Sequence, residues 1–194
     1  MRLPEVTTWS PRQQEISDRI TARRGGTRGP FLVWLRSPEL CEKVEALGAY
    51  CRFESALDPR LRELSLLIAA RCFDAPYSWN AHVNKAADLG VPRESLGALA
   101  AGREPEFSQH DEQVVYDFAT QILRDHFVTD EAFAAALDTL GEQGVVDLIG
   151  SLGNFSMLAM LLNACQVDLQ DVPPPFPDVR GYARVPSEQV TTEV

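Results

Sequence analysis

Between Leu148 and Val167 the chain runs for 20 residues without a formal charge. A stretch of that length and character either crosses a bilayer or is buried in protein, because so much apolar surface is costly in water. Gly150, Ser151, Gly153, Asn154, Ser156, Asn163 and Gln166 dilute it, and Asp147 closes one end with no basic cluster beside it. The expectation is a helix buried in a core or between subunits, so the rest of the chain must supply what covers it.

What covers it reads as helical too. Three segments open with the same device, a capping side chain followed by proline: Ser10-Pro11, Ser37-Pro38 and Asp58-Pro59. The side-chain oxygen can accept from unpaired N–H groups of the first turn, and proline fits the first helical position, where its missing N–H costs nothing. These signals predict helices from Pro11 to about Arg24, from Pro38 to roughly Phe53 with Leu40, Val44, Leu47 and Cys51 inward, and from Pro59 to Cys72. In the last of these, Leu61, Leu64, Leu66, Leu67, Ile68, Ala69 and Ala70 leave hardly any polar face, the mark of a helix buried on most sides.

Tyr77 to Leu89 is amphipathic, with Trp79, His82, Val83 and Ala86 on one stripe and Asn80, Asn84, Lys85 and Asp88 opposite. Further helices are expected from Arg93 to Ala101, Ser108 to His126, Thr129 to Gly141 and Val145 to Gln166, and no alternating strand pattern appears. The fold class is all-α, a helical bundle. Its organisation reads as an N-terminal helix and arm (1–28), a helical domain (29–168) and a Pro-rich C-terminal tail (169–194).

The net charge of −10 repels phosphate backbones and anionic membrane surfaces, so neither nucleic acid nor membrane is an expected partner. Arg12, Arg19, Arg23, Arg24 and Arg28 gather near the start and read as a solvated helix end. Met1 is followed by charged and proline-containing sequence without an apolar signal region, which points to the cytoplasm. Cys41, Cys51, Cys72 and Cys165 show no C-x-x-C spacing and read as four buried thiols. His82, His110 and His126 lie far apart, the last two among polar neighbours, and form no metal constellation.

One pair stands out for chemistry. Glu63 is the only acid in the apolar run from Leu61 to Ala70, and His82 lies on the inward stripe of the next helix. A carboxylate facing an imidazole across two helices orients the ring, fixes its tautomer and raises its basicity, which suits a general acid/base. On spacing alone, an inward histidine with one acid partner is more often a satisfied structural pair than a catalytic one. An anionic substrate in so acidic a chain needs a local cation; Arg52, Arg62 and Arg71 are the arginines nearest in sequence, and Arg71, two turns from Glu63, is favoured.

The order Glu63, apolar helix, short break, Tyr77-x-Trp79-x-x-His82, Ala86, Gly90 resembles the carboxymuconolactone decarboxylase and alkyl hydroperoxidase-like family. The likeness extends over Gly29-Pro30-Phe31, Ser37-Pro38-Glu39-Leu40, Gly48 to Arg52, Leu61 to Leu64, Gly153-Asn154-Phe155 and Leu161 to Ala164. Peroxidase members carry C-x-x-C-x-x-x-H; the matching positions here are Ala75, Ser78 and His82, so the thiolate and resolving thiol of dithiol peroxide reduction are missing. Members without cysteines commonly have Glu-Trp before the histidine and Gly-Tyr-Tyr in the last helix, whereas this chain has Ser78 before Trp79, and Asn154-Phe155 in place of the tyrosines.

The resemblance implies a cofactor-independent lyase or decarboxylase-like enzyme acting on a small anionic cyclic or aromatic-derived compound. His82 and Glu63 would be its acid/base pair, with Trp79, Arg71, Ser78, Tyr77, Asn154, Phe155 and Arg52 against the substrate. It also implies a homo-oligomer, trimer or hexamer. An isomerase or hydrolase in the same pocket, or a non-catalytic module that binds a small ligand, are the alternative expectations.

Overall fold

Proline opens the expected helices, but the caps differ. In the structure, a computed structural model that describes residues 1–169 and 175–176, Ser10 starts α1 (Pro11–Arg24) with a full capping box: its hydroxyl accepts from the Gln13 amide and the Gln13 side chain accepts from the Ser10 N–H. A short α2 (Pro30–Trp34) replaces the apolar stretch, and α3 (Pro38–Ala49) follows Ser37, whose side chain makes no cap bond. Asp58 caps α4 (Pro59–Cys72) through the Arg60 amide. Then come α5 (Pro76–Asp88), α6 (Arg93–Ala100), α7 (His110–Arg124) and α8 (Asp130–Cys165), with no strand among the described residues.

The apolar helix α4 lies at the centre, packed against α5, α7 and α8. Leu64, Leu67, Val115, Phe118 and Leu148 are fully enclosed in one core, each contributing roughly 1.5–3 kcal/mol relative to exposure. The two helices expected at the end of the chain are one run bent at Gly141, whose φ of 70° and ψ of 174° belong to glycine. That run is long and apolar enough to span a bilayer; here 50% of its apolar window is buried within the protein. Val146, Ile149 and Met160 point outward.

The buried face of α3 is not the expected one. Leu40 and Leu47 are exposed, while Cys41 and Ala49 are buried. A π-helical turn over Tyr50–Glu54 then ends the helix short of Phe53 and inserts Cys51 into the core; the wider turn shifts the register that a 3.6-residue period assumes. Tyr50 donates to Asp147 Oδ1 at 2.9 Å and the Ala56 N–H donates to Oδ2 at 2.7 Å, fastening this turn to α8.

The N-terminal arginines are not only a solvated helix end, although Arg19 and Arg23 are half exposed as expected. Arg12 pairs with Glu15 of its own helix and with Glu39 and Glu42, Arg19 with Glu42, and Arg23 and Arg24 with Glu45, so the pairs to Glu39, Glu42 and Glu45 strap α1 onto the acidic side of α3. Nor are all four thiols buried: Cys41 and Cys51 are, whereas Cys72 and Cys165 are half-buried, and all four are free. Phe176 packs edge-on against Trp79 with ring centroids 5.2 Å apart; the rest of the tail reading, from 170 onward, lies outside the described residues.

Candidate active site

The turn from α4 into α5 sets the site. Asp74 adopts a left-handed φ of 47°, the Ala75 N–H donates to Ala70 O at 2.7 Å, and Asn163 of α8 donates to Phe73 O at 2.6 Å. With the reversal fixed in this way, Glu63 of α4 meets His82 of α5: Oε2 and Nδ1 are 2.6 Å apart, with the two side chains 13% and 12% exposed.

Burial pushes the Glu63 carboxyl up, but the His82 hydrogen bond and the charges of His82, Lys85 and Arg52 outweigh it and hold the group below the ordinary carboxylate value. Burial pushes His82 down, and Arg52 and Lys85 add to that, more than Glu63 offsets. The resting pair is therefore a carboxylate accepting from the Nδ1–H of a neutral imidazole. The second ring nitrogen, Nε2, keeps its lone pair.

His82 borders a cavity of about 400 Å³ between α5, α8, α3 and the arm. Phe31, Trp34, Leu66 and Phe155 form apolar walls, and Arg24, Arg28, Arg52 and Lys85 also line it, without a single carboxylate among the lining residues. The sign of charge is thus opposite to that of the molecule. Arg24 lies over the Phe31 ring at 5.1 Å and the Phe53 ring at 5.5 Å, and its burial lowers its affinity for the proton. Gly29 lets the arm close here: at its φ of 54° a Cβ would fall 2.0 Å from the Tyr77 hydroxyl, so any side chain would displace one wall.

Of the residues singled out from sequence, Tyr77, Ser78, Asn154, Phe155 and Arg52 line this cavity with His82. Two do not. Arg71 is eight residues beyond Glu63 on α4, which on a helix is about 80° round the axis; it donates to Ala100 O at 3.1 Å, pairs with Asp74 and lies over Phe176. Trp79, next to Ser78, faces the opposite way into the main core. Arg62 is also turned away, donating to Arg52 O at 2.8 Å.

Trp34, Arg24, Arg28 and Lys85 were not anticipated. Lys85 had a usable signal, its place one turn beyond His82. The other three come from an arm whose position depends on Gly29, for which spacing offers no guide.

No cysteine lines the cavity. Ala75 is buried, and Cys72 has its sulfur 3.8 Å from Leu123 O. Among the described residues no three His, Cys, Asp or Glu side chains come together as metal ligands.

Residues 38–108 match the carboxymuconolactone decarboxylase family. No curated protein matches the chain by sequence. Among solved structures, a protein of unknown function from Agrobacterium tumefaciens, described as a putative antioxidant defence protein AhpD, is 16% identical with a TM-score of 0.63, covering 73% of this chain and 97% of its own. A peroxidase-related protein from Silicibacter sp. TM1040 is 16% identical with a TM-score of 0.69, covering 87% and 90%. A cysteine-to-alanine variant of the debrominase Bmp8, in complex with 2,3,4-tribromopyrrole, is 14% identical with a TM-score of 0.66, covering 85% and 88%. At these identities the likeness is one of fold.

Proposed function

We propose that this chain, a member of the carboxymuconolactone decarboxylase family, is a cofactor-independent acid/base enzyme of the lyase or decarboxylase type, acting on a small anionic cyclic or aromatic-derived compound. One observation carries the reading: a neutral imidazole pinned by Glu63 borders a cavity whose charged lining is entirely cationic. A structural pair has no need of that setting. The debrominase neighbour, bound to a halogenated aromatic ring, supports the choice of a small ring compound.

The chemistry follows from the free nitrogen. When a carboxylate leaves as carbon dioxide, the electron pair of the broken carbon–carbon bond passes into an adjacent carbonyl system; the neutral ring must first gain a proton at Nε2 from water, and the imidazolium held by Glu63 then gives that proton to the carbon and returns to its neutral form. In the opposite sense, neutral Nε2 removes a proton from carbon next to a carbonyl, and the imidazolium so formed is held by Glu63. Because the resting ring is neutral, the second sense, isomerisation through an enolate, is the alternative with an observation in its favour. Arg52, Arg28 and Lys85 would hold the substrate's charge.

Two probes separate these readings. With 2-oxocyclohexanecarboxylate the enzyme should release carbon dioxide above the spontaneous rate; with 4-oxocyclohexanecarboxylate in deuterium oxide it should exchange the hydrogens beside the ketone. Exchange without carbon dioxide release selects the isomerase, and binding without either reaction selects a ligand-binding module. His82→Gln should cut turnover by about 10²–10⁴-fold with an unchanged helical spectrum; an active H82Q protein would refute the assignment.

A further inference from the structure

One buried acid away from the Glu63–His82 pair has no cation to answer it. Asp147 of α8 is 7% exposed and forms no ion pair among the described residues. Its two oxygens accept instead from the two ends of a single turn, Oδ1 from the Tyr50 hydroxyl at 2.9 Å and Oδ2 from the Ala56 N–H at 2.7 Å. A carboxylate kept from water without a counter-charge is costly, so a tether of this kind is retained where the tethered segment has to hold its place.

That segment is the π-helical turn over Tyr50–Glu54, closed by the Ser55 N–H donating to Tyr50 O at 2.9 Å. Closure over five residues re-aims side chains relative to an α-helix, and such turns gather at functional sites. The side chain of interest here is Arg52, which lines the cavity bordered by His82. Its guanidinium lies over the ring of Phe53, its neighbour in the turn, at 5.3 Å and makes no ion pair among the described residues. The place of the charge is therefore set by the backbone that carries it. A second element grips that backbone: Arg62 of α4 donates to Arg52 O at 2.8 Å. Neither Asp147 nor Arg62 lines the cavity.

We infer that Asp147 and Arg62 are positioning residues: from α8 and α4 they lock the π-helical turn, so that the Arg52 guanidinium stands as a fixed charge in the cavity beside His82. Their importance for catalysis rests on the acid/base reading of His82; their hold on Arg52 does not. Charged groups act on His82 from three elements, Glu63 from α4, Lys85 from α5 itself and Arg52 from the turn. Arg24 and Arg28 line the cavity from α1 and the arm, and α8 brings only the uncharged Asn154, Phe155 and Leu158. Arg52 opposes protonation of the ring, so withdrawing it lets His82 take up a proton at higher pH. Losing the Asp147 charge by itself does the reverse, because a neighbouring anion favours the imidazolium. The sign thus separates a displaced Arg52 from a missing carboxylate.

The test is an NMR titration of the His82 ring in the whole protein, its signal being the one absent from H82Q. Arg52→Met should move the titration to higher pH. Asp147→Ala, which cuts both tethers, should move it the same way by no more than R52M does, and the double variant should move it no further than R52M alone. Arg62→Met should likewise add nothing to R52M. Asp147→Asn can still accept from Ala56 and donate to the Tyr50 oxygen, so it should stay at the wild-type position or fall slightly below it. Tyr50→Phe cuts one tether at a half-exposed hydroxyl and should give a smaller upward shift, which keeps the question open to measurement if D147A does not fold. An R52M titration that stays in place, a D147A or Y50F shift that is absent or downward, or shifts that add to that of R52M would overturn the positioning role. Failure of the acid/base reading looks different: H82Q would retain exchange activity while the titrations behave as described.

Discussion

Two buried acid–base pairs leave α4 only three residues apart, and they do opposite things. Arg60 turns toward α7, where it meets Asp111 at 2.6 Å and Glu112 at 2.7 Å. Glu63 turns toward α5 and meets His82 at 2.6 Å. The first group is closed: Glu112 is 0% exposed and does not line the cavity beside His82. The second combines a carboxylate with a ring that can gain and lose a proton, and that ring opens on a cationic cavity. Burial and pairing alone do not make an acid–base pair a candidate for chemistry; a free ring nitrogen facing space for a ligand does.

Substitutions that remove one partner should separate the two most sharply. Arg60→Met leaves Glu112 buried without its cation, and breaking a pair of this kind costs about 3–5 kcal/mol, visible as a large drop in the urea midpoint. Proton exchange measured well below the transition should be little changed, because nothing in the Arg60 group lines the cavity. If R60M unfolds no more easily than wild type, the closed pair is not structural and the contrast fails.

How far each pair was legible in the sequence follows from the same difference. Glu63 and His82 stood out because each interrupts an apolar pattern, and the Phe73–Ala75 turn leaves their helices neighbours. Glu112 did not: an acid in the first turn of α7 reads equally well as a dipole partner in water, and nothing local says that Arg60 lies opposite. The α3 face was misread because a π turn breaks the period on which the reading relied. Trp34 and Arg24 were missed for a third reason. Their place at the cavity depends on Gly29 folding the arm against Tyr77, a contact between segments 48 residues apart.

A substitution at the open pair should show the reverse balance. Glu63→Gln keeps the shape and can still accept one hydrogen bond from His82, so its effect on the urea midpoint should be at most about 1 kcal/mol. It cannot stabilise an imidazolium, and exchange of 4-oxocyclohexanecarboxylate should fall by about 10²-fold. The profile is the inverse of that expected for R60M. Should E63Q retain full turnover while destabilising the fold severely, Glu63–His82 would join Arg60–Glu112 as a structural pair.

The smallest effect sharpens the comparison furthest, since it concerns charge alone. Burial, Arg52 and Lys85 all oppose protonation of His82, so the free base should persist through pH 6.5, the usual imidazole value, and exchange should be lost only in more acidic solution. The sign for stability is the same: with its folded value depressed, His82 contributes fully above its unfolded value, and that contribution is lost as the pH falls. Lys85→Met removes one opposing cation. The imidazole then protonates more readily, and the acidic limb of the exchange profile moves to higher pH, while the urea midpoint at pH 8 stays close to that of wild type. The shift should shrink in concentrated salt, because Lys85 acts through the solvated rim of the cavity. A limb that stays in place in K85M, or moves toward lower pH, would show that Lys85 does not reach the imidazole, leaving burial and Arg52 to keep the ring neutral.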